Sequence, residues 1–267
     1  MNFLEFAVWG AYLTCMGIYL GNIGMSAHIG MFFAMQGIVS IFMPAIMGII
    51  ADRLIPAQRL LGYCHLLAGL FMFATAWYGN ETGTNANVSI LFTFYSLSVA
   101  FYMPTLALSN SVAYSSLSQA GLDTVKDFPP IRVFGTIGFI CTMWFVDIMG
   151  YKSNQTQFIV SGILSIILFF YTFTLPNCGI KKNQDKTSIA DAFGLKAFSL
   201  FKQKKMAIFF IFSMMLGVSL QITNGFATPF IESFKNIHEY AGTFGEKYPV
   251  ILYSISQCRE TPCILMI

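Results

Sequence analysis

What most restricts the fold of this chain is the recurrence of apolar runs about as long as a bilayer is thick. A helix needs about 20 mostly apolar residues to cross the hydrocarbon core. Runs of that kind fall at 3–22, 29–50, 60–78, 88–108, 129–148, 157–175, 206–228 and 250–267. Of 267 residues, 56% are hydrophobic and 10% charged, against about 25% charged in soluble domains. A soluble core of this size cannot absorb so much apolar surface. The runs are continuous rather than alternating with period two, which excludes an outer-membrane barrel. The expectation is an all-α, polytopic membrane helical bundle. The first run opens at Phe3 with no basic flank and no small-residue cleavage site, so it reads as a span and not as a removable signal.

Lysine and arginine set the orientation. With the N-terminus inside the cell, the inner loops hold Arg53, Arg59, Lys126, Lys181, Lys182, Lys186, Lys196, Lys202, Lys204 and Lys205, while the outer loops hold Lys152, Lys235 and Lys247. The positive-inside rule therefore predicts a cytoplasmic N-terminus. The longest polar break, 177–205, carries seven lysines against Asp185 and Asp191. It divides the chain into a six-helix N-terminal bundle (1–176), a cytoplasmic basic linker (177–205) and an incomplete C-terminal bundle (206–267). The last holds a seventh helix and part of an eighth. The linker's charge suits anionic headgroups, and equally an ordinary solvated loop. Residues 196–205 read as a short interfacial helix.

Several function classes find no footing. The six cysteines form no CxxC pair, and His28, His65 and His238 are isolated from one another, so no metal site is expected. No nucleophile–base or paired-acid constellation suggests an enzyme.

Three polar patterns remain. Gly48-Ile-Ile-Ala-Asp52-Arg53 and Arg59 follow the second run. Asp52 opposes the helix macrodipole there and calls for a cationic partner, so the cluster reads as an inner gate. Next, Asp127-Phe-Pro-Pro-Ile-Arg132 precedes Gly135-Thr136-Ile-Gly138-Phe139. Pro129 and Pro130 predict the start of the fifth helix, since proline loses nothing in a first turn. Arg132, Thr136 and Phe139 then share a helix face, presenting a cation, a hydroxyl and an aromatic ring. Arg132 near a helix start is also compatible with snorkelling to the headgroups. Finally, Gln221 and Asn224 lie at i and i+3 in the seventh run, and Gln257 and Glu260 at i and i+3 in the eighth. The amides suit hydrogen bonding to a solute or between helices. A carboxyl in an apolar span suits carrying or sensing a proton.

At these residues the chain resembles a known family. Val8-Trp-Gly-Ala, Met43-Pro-Ala, Gly48-Ile-Ile-Ala-Asp-Arg, Tyr102-Met-Pro-Thr-Leu, Asp127-Phe-Pro-Pro-Ile-Arg, Gly135-Thr-Ile-Gly-Phe, Lys205-Met-Ala-Ile-Phe-Phe, Leu220-Gln-Ile-Thr-Asn and Ser254-Ile-Ser-Gln occur in fixed order over nearly the whole chain. They are similar to segments of the nucleoside–proton symporters, the bacterial nucleoside permeases of the major facilitator superfamily. The resemblance implies a two-bundle transporter of twelve helices that imports nucleosides with protons by alternating access. It implies a nucleoside site at Arg132, Thr136, Phe139, Gln221, Asn224, Gln257 and Glu260, with Glu260 also the candidate for proton coupling. The implied partners are a nucleoside and the bilayer of the cell inner membrane, with no nucleic acid and no cofactor beyond the proton. No residue sets an oligomeric state. The pattern departs from the family after Gln257, where Cys258-Arg259-Glu260-Thr-Pro262-Cys263 interrupts the apolar span. The expectation is a C-terminally truncated member. A sugar or oligosaccharide symporter of the same superfamily and a non-transporting membrane subunit are the alternatives.

Overall fold

A computed structural model describes residues 1–179, 195–240 and 242–258. Among these the regular structure is helical, as expected where lipid leaves backbone groups no partner but one another. The helices are α1 (Asn2–Gly10), α2 (Met16–Asn22), α3 (Ile29–Arg53), α4 (Ala57–Thr82), α5 (Val88–Gln119), α6 (Thr124–Ile148), α7 (Thr156–Thr172), α8 (Lys204–Ser233), α9 (Phe244–Lys247) and α10 (Pro249–Cys258). Of these, α3, α4, α5, α6 and α8 are long and apolar enough to cross a membrane, and α7 is a shorter apolar helix.

α4 packs against α5 and α7, α3 against α5, and α1 against α6 and α7. From Ala11 to Leu20 the side chains of the first run are almost wholly enclosed, which puts that run at the centre of the bundle. Its approach to α6 depends on glycine. A Cβ on Gly138 would lie 2.1 Å from the Phe3 carbonyl oxygen, and one on Gly10 would lie 2.5 Å from that of Phe139. Contacts with the later helices run from α2 to α8 and from α6 to α10.

Three expectations need correction. The first run is not one continuous helix, because α1 and α2 are separated at residues 11–15. There the Ile18 amide bonds to the Cys15 carbonyl, three residues back, and the Thr14 carbonyl instead accepts the Thr228 hydroxyl of α8. A tertiary bond has replaced a rung of the helix ladder. The fifth predicted helix begins at Thr124, not at the prolines. Asp123 caps it by accepting from the Val125 amide at 2.9 Å, and the Asp127 carboxylate reaches back to the Asp123 amide at 2.9 Å. This reciprocal cap fixes the start ahead of Pro129 and Pro130, which then lie inside the first turns. The segment read as an interfacial helix forms 3₁₀ turns over Leu195–Lys202, with Phe201 stacked on Phe210 at 4.8 Å between centroids. The eighth run is helical over α10, and residues 259–267 lie outside the described residues.

At one end of the bundle, Gln58 donates to the Asn177 side chain at 2.9 Å and accepts from the Cys178 amide at 3.0 Å, and Gln119 donates to the Asn177 carbonyl. These bonds tie the segment after α7 onto α4 and α5. At the opposite end the Asp147 carboxylate, buried at the end of α6, accepts from Val250 and Ile251 amides at 3.0 and 2.9 Å and pairs with Lys152 at 2.7 Å. It caps the N-terminus of α10, where Pro249 supplies no donor of its own.

Candidate functional site

Helices α1, α6, α8 and α10 line a cavity of about 90 Å³ that is open on one side. Arg132, Thr136 and Phe139 of α6 line it, as their helical spacing requires. From the first run come Phe6, Trp9 and Leu13, and from α8 Leu220 and Asn224; Gln257 of α10 completes the lining. The Arg132 guanidinium carbon lies 4.0 Å from the centroid of the Phe6 ring. That cation–π contact holds the charge at the wall without burying it among other cations. Trp9 meets Phe139 edge-on, with centroids 6.2 Å apart and an interplanar angle of 79°. Gly135 allows the arrangement, since a Cβ there would lie 2.5 Å from the Phe6 ring.

The polar groups opposite are oriented by a relay. The Tyr253 hydroxyl donates to Asn224 Oδ1 at 2.7 Å and accepts from Gln257 Nε2 at 3.2 Å. With its oxygen engaged, Asn224 offers a solute its amide donors. The cavity thus combines aromatic faces, amide edges, a hydroxyl and one guanidinium, a set suited to a flat heteroaromatic solute with polar substituents.

The remaining expected residues fall elsewhere. Gln221 donates to the Phe33 carbonyl of α3 at 3.3 Å and is not among the lining residues of this cavity. Positions i and i+3 differ by about 60° around a helix, enough to point Asn224 inward and Gln221 to the neighbouring helix. Glu260 lies outside the described residues. Gly48 faces open space on α3, while Asp52, Arg53 and Arg59 are exposed around the short α3–α4 loop.

Sequence reasoning missed Phe6, Trp9, Leu13, Leu220 and Tyr253, because an apolar residue facing a cavity and one facing a neighbouring helix look alike in a hydrophobic run. It also missed a buried pair behind the α1 wall. Glu5 Oε2 lies 2.8 Å from His65 Nε2, with both side chains fully enclosed.

A model of the nucleoside H⁺ symporter family matches residues 1–267. The chain is 43% identical over 270 residues to xanthosine permease of Escherichia coli K12, covering 100% of this chain and 63% of that protein. It is 41% identical over 269 residues to nucleoside permease NupG of the same organism, with the same coverage. Two crystal structures of the nucleoside transporter NupG are similar to it. A mutant form gives a TM-score of 0.88 at 41% identity, covering 100% of this chain and 65% of that one. The other gives 0.83 at 40%, covering 99% and 64%. The chain therefore spans less than two thirds of the length of these relatives. With a family match from end to end and the same fold at this level of identity, the chain belongs to the nucleoside H⁺ symporter family.

Proposed function

We propose that this chain forms the N-terminal bundle, the basic linker and the first helices of the C-terminal bundle of a proton-coupled nucleoside importer of the inner membrane. The observation that carries the reading is the convergence of Arg132, Thr136, Phe139, Asn224 and Gln257 on one cavity. Phe139 and Trp9 supply faces for a base, Asn224 and Gln257 hydrogen bonds for its edge, and Arg132 and Thr136 partners for polar substituents. The relatives named as nucleoside and xanthosine permeases support a nucleoside over a sugar. Import then follows from rocking of one bundle against the other around this site.

Equilibrium binding of labelled uridine to the purified chain tests the reading. Saturable binding displaced by unlabelled nucleosides and not by a disaccharide is expected. Displacement by the disaccharide, or no saturable binding, overturns it. The proposed orientation rests on the excess of cations in the loops assigned to the cytoplasm. In whole cells, an impermeant thiol reagent should label Lys235→Cys and spare Lys126→Cys; the reverse pattern would invert the topology.

A further inference from the structure

The surroundings of the Glu5–His65 pair accommodate two protonation states of the carboxyl. Besides His65 Nε2 at Oε2, the carboxyl has Thr105 Oγ1 at 2.6 Å from Oε1. The Tyr102 hydroxyl donates to the Glu5 backbone carbonyl at 2.8 Å. Glu5 and His65 are each 0% exposed, so a charge there must be met by fixed partners and not by water.

Thr105 is the switching element. Its oxygen lies 2.6 Å from Glu5 Oε1 and 2.5 Å from the Tyr102 carbonyl oxygen, and a single hydroxyl hydrogen serves one acceptor at a time. With Glu5 ionised, Thr105 donates to Oε1 while His65, as the neutral Nε2–H tautomer, donates to Oε2. With one proton added at Oε1, Glu5 donates to Thr105, which turns its hydrogen to the Tyr102 carbonyl, and His65 keeps its bond. Either way both carboxyl oxygens are satisfied and no heavy atom has to move. Neutral His65 agrees with its Nδ1, which is buried with no hydrogen-bond partner. A bare lone pair is tolerable there, whereas a buried N–H without an acceptor is costly.

Resting on the symporter reading, we propose that Glu5 is a proton-binding site of this transporter and that its occupancy is linked to the solute cavity through Phe6 and Arg132. Phe6 follows Glu5 on α1 and carries the Arg132 guanidinium, while Trp9, one turn further on, lines the cavity. Charged Glu5 adds a negative field at Arg132. Protonation withdraws that field, so a solute beside the guanidinium meets a larger net positive charge. The link acts equally in the other direction, so bound solute favours the protonated carboxyl. The other titratable groups facing the site are His65 and Cys64 of α4, Tyr102 of α5 and Arg132 of α6. Tyr12 and the Met1 amine join them from the same segment. The buried residues of α7 contribute none. The step is a proton exchange alone: one proton from water adds to Oε1 and later returns to water.

The test is infrared difference spectroscopy between high and low pH on the full chain in liposomes, without solute. A protonated-carboxyl band is expected that is lost in Glu5→Gln and displaced in Thr105→Val, which keeps the carboxyl and removes its partner. Should Glu5→Gln fold poorly, Thr105→Val alone decides. Spectra with no pH-dependent band assignable to Glu5 would show a carboxyl whose protonation does not change and overturn the proposal. Adding uridine should move the midpoint of the band to higher pH. Uridine that binds without moving it would remove the link to the cavity, and with it the proposal. If uridine fails to bind at all, the nucleoside reading has failed, while the solute-free spectra still decide whether Glu5 takes up a proton.

Discussion

The Arg132 guanidinium lies over Phe6 on the wall of the cavity, whereas the Gln221 amide is engaged with the Phe33 carbonyl. Equal standing in the sequence therefore becomes unequal expectation. Removing a charged hydrogen-bonding group from a desolvated site costs about 1.5–3 kcal/mol, roughly tenfold or more in affinity. Arg132→Ala should weaken uridine binding by that order with the fold retained, while Gln221→Ala should change affinity far less and act on the α3–α8 contact. Titration calorimetry on both variants checks this, and equal losses would return Gln221 to the site. The α6 triplet was legible because helical spacing alone sets a common face. Glu5 and His65 were not, since each sits alone in an apolar run and their meeting depends on how α1 and α4 pack, 60 positions apart.

Among the elements, the N-terminus of α10 is held to α6 by one carboxylate, while further along the Trp144 indole donates to the Ser254 hydroxyl at 2.7 Å. Asp147 accepts two amides of the first turn of α10 and pairs with Lys152, whose ammonium also donates to the Lys247 carbonyl at 2.6 Å. A negative charge at a helix N-terminus is favoured by the macrodipole. Breaking a buried ion pair by removing one partner costs on the order of 3 kcal/mol or more. Asp147→Ala should lower the thermal stability of the detergent-solubilised chain and raise hydrogen exchange in 249–258 before that of α4. Asp147→Asn, which keeps an acceptor and loses the charge, should fall between. Uniform exchange across both helices would mean that α10 is not anchored here. The place of α3, α4, α5, α6 and α8 followed from apolar runs, because in lipid a long apolar segment has few alternatives to a helix, but their lengths did not, α5 continuing past its run to Gln119. The break between α1 and α2 could not be read that way, since it depends on Thr228, 214 positions from Thr14. The start of α6 was misjudged because two prolines weighed more than the cap formed by Asp123 and Asp127.

At the scale of the molecule, the two sides of the cavity are unequally built. α1 and α6 are fixed by close backbone contact at Gly10 and Gly138, and they belong to a bundle of several mutually packed helices. The opposite wall is α8 and the described part of α10. Along α8, Phe209, Phe212, Met214 and Leu220 are each more than half exposed, although the helix is apolar enough to span a membrane. In a two-bundle transporter such faces pack against sister helices, and the solute is carried when one packed bundle rocks on the other. The chain matches 63% of the length of its permease relatives, and among the described residues α8 meets α10 but no complete second bundle to move with. A polypeptide of this sequence alone, reconstituted in liposomes under an inward proton gradient, should bind uridine without concentrating it. Uptake should stay at the level of empty vesicles, while equilibrium binding to the same vesicles exceeds that of Arg132→Ala. Concentrative uptake by the polypeptide alone would mean that α8 and α10 suffice as a moving wall, and that rocking of a complete second bundle is not required for coupling.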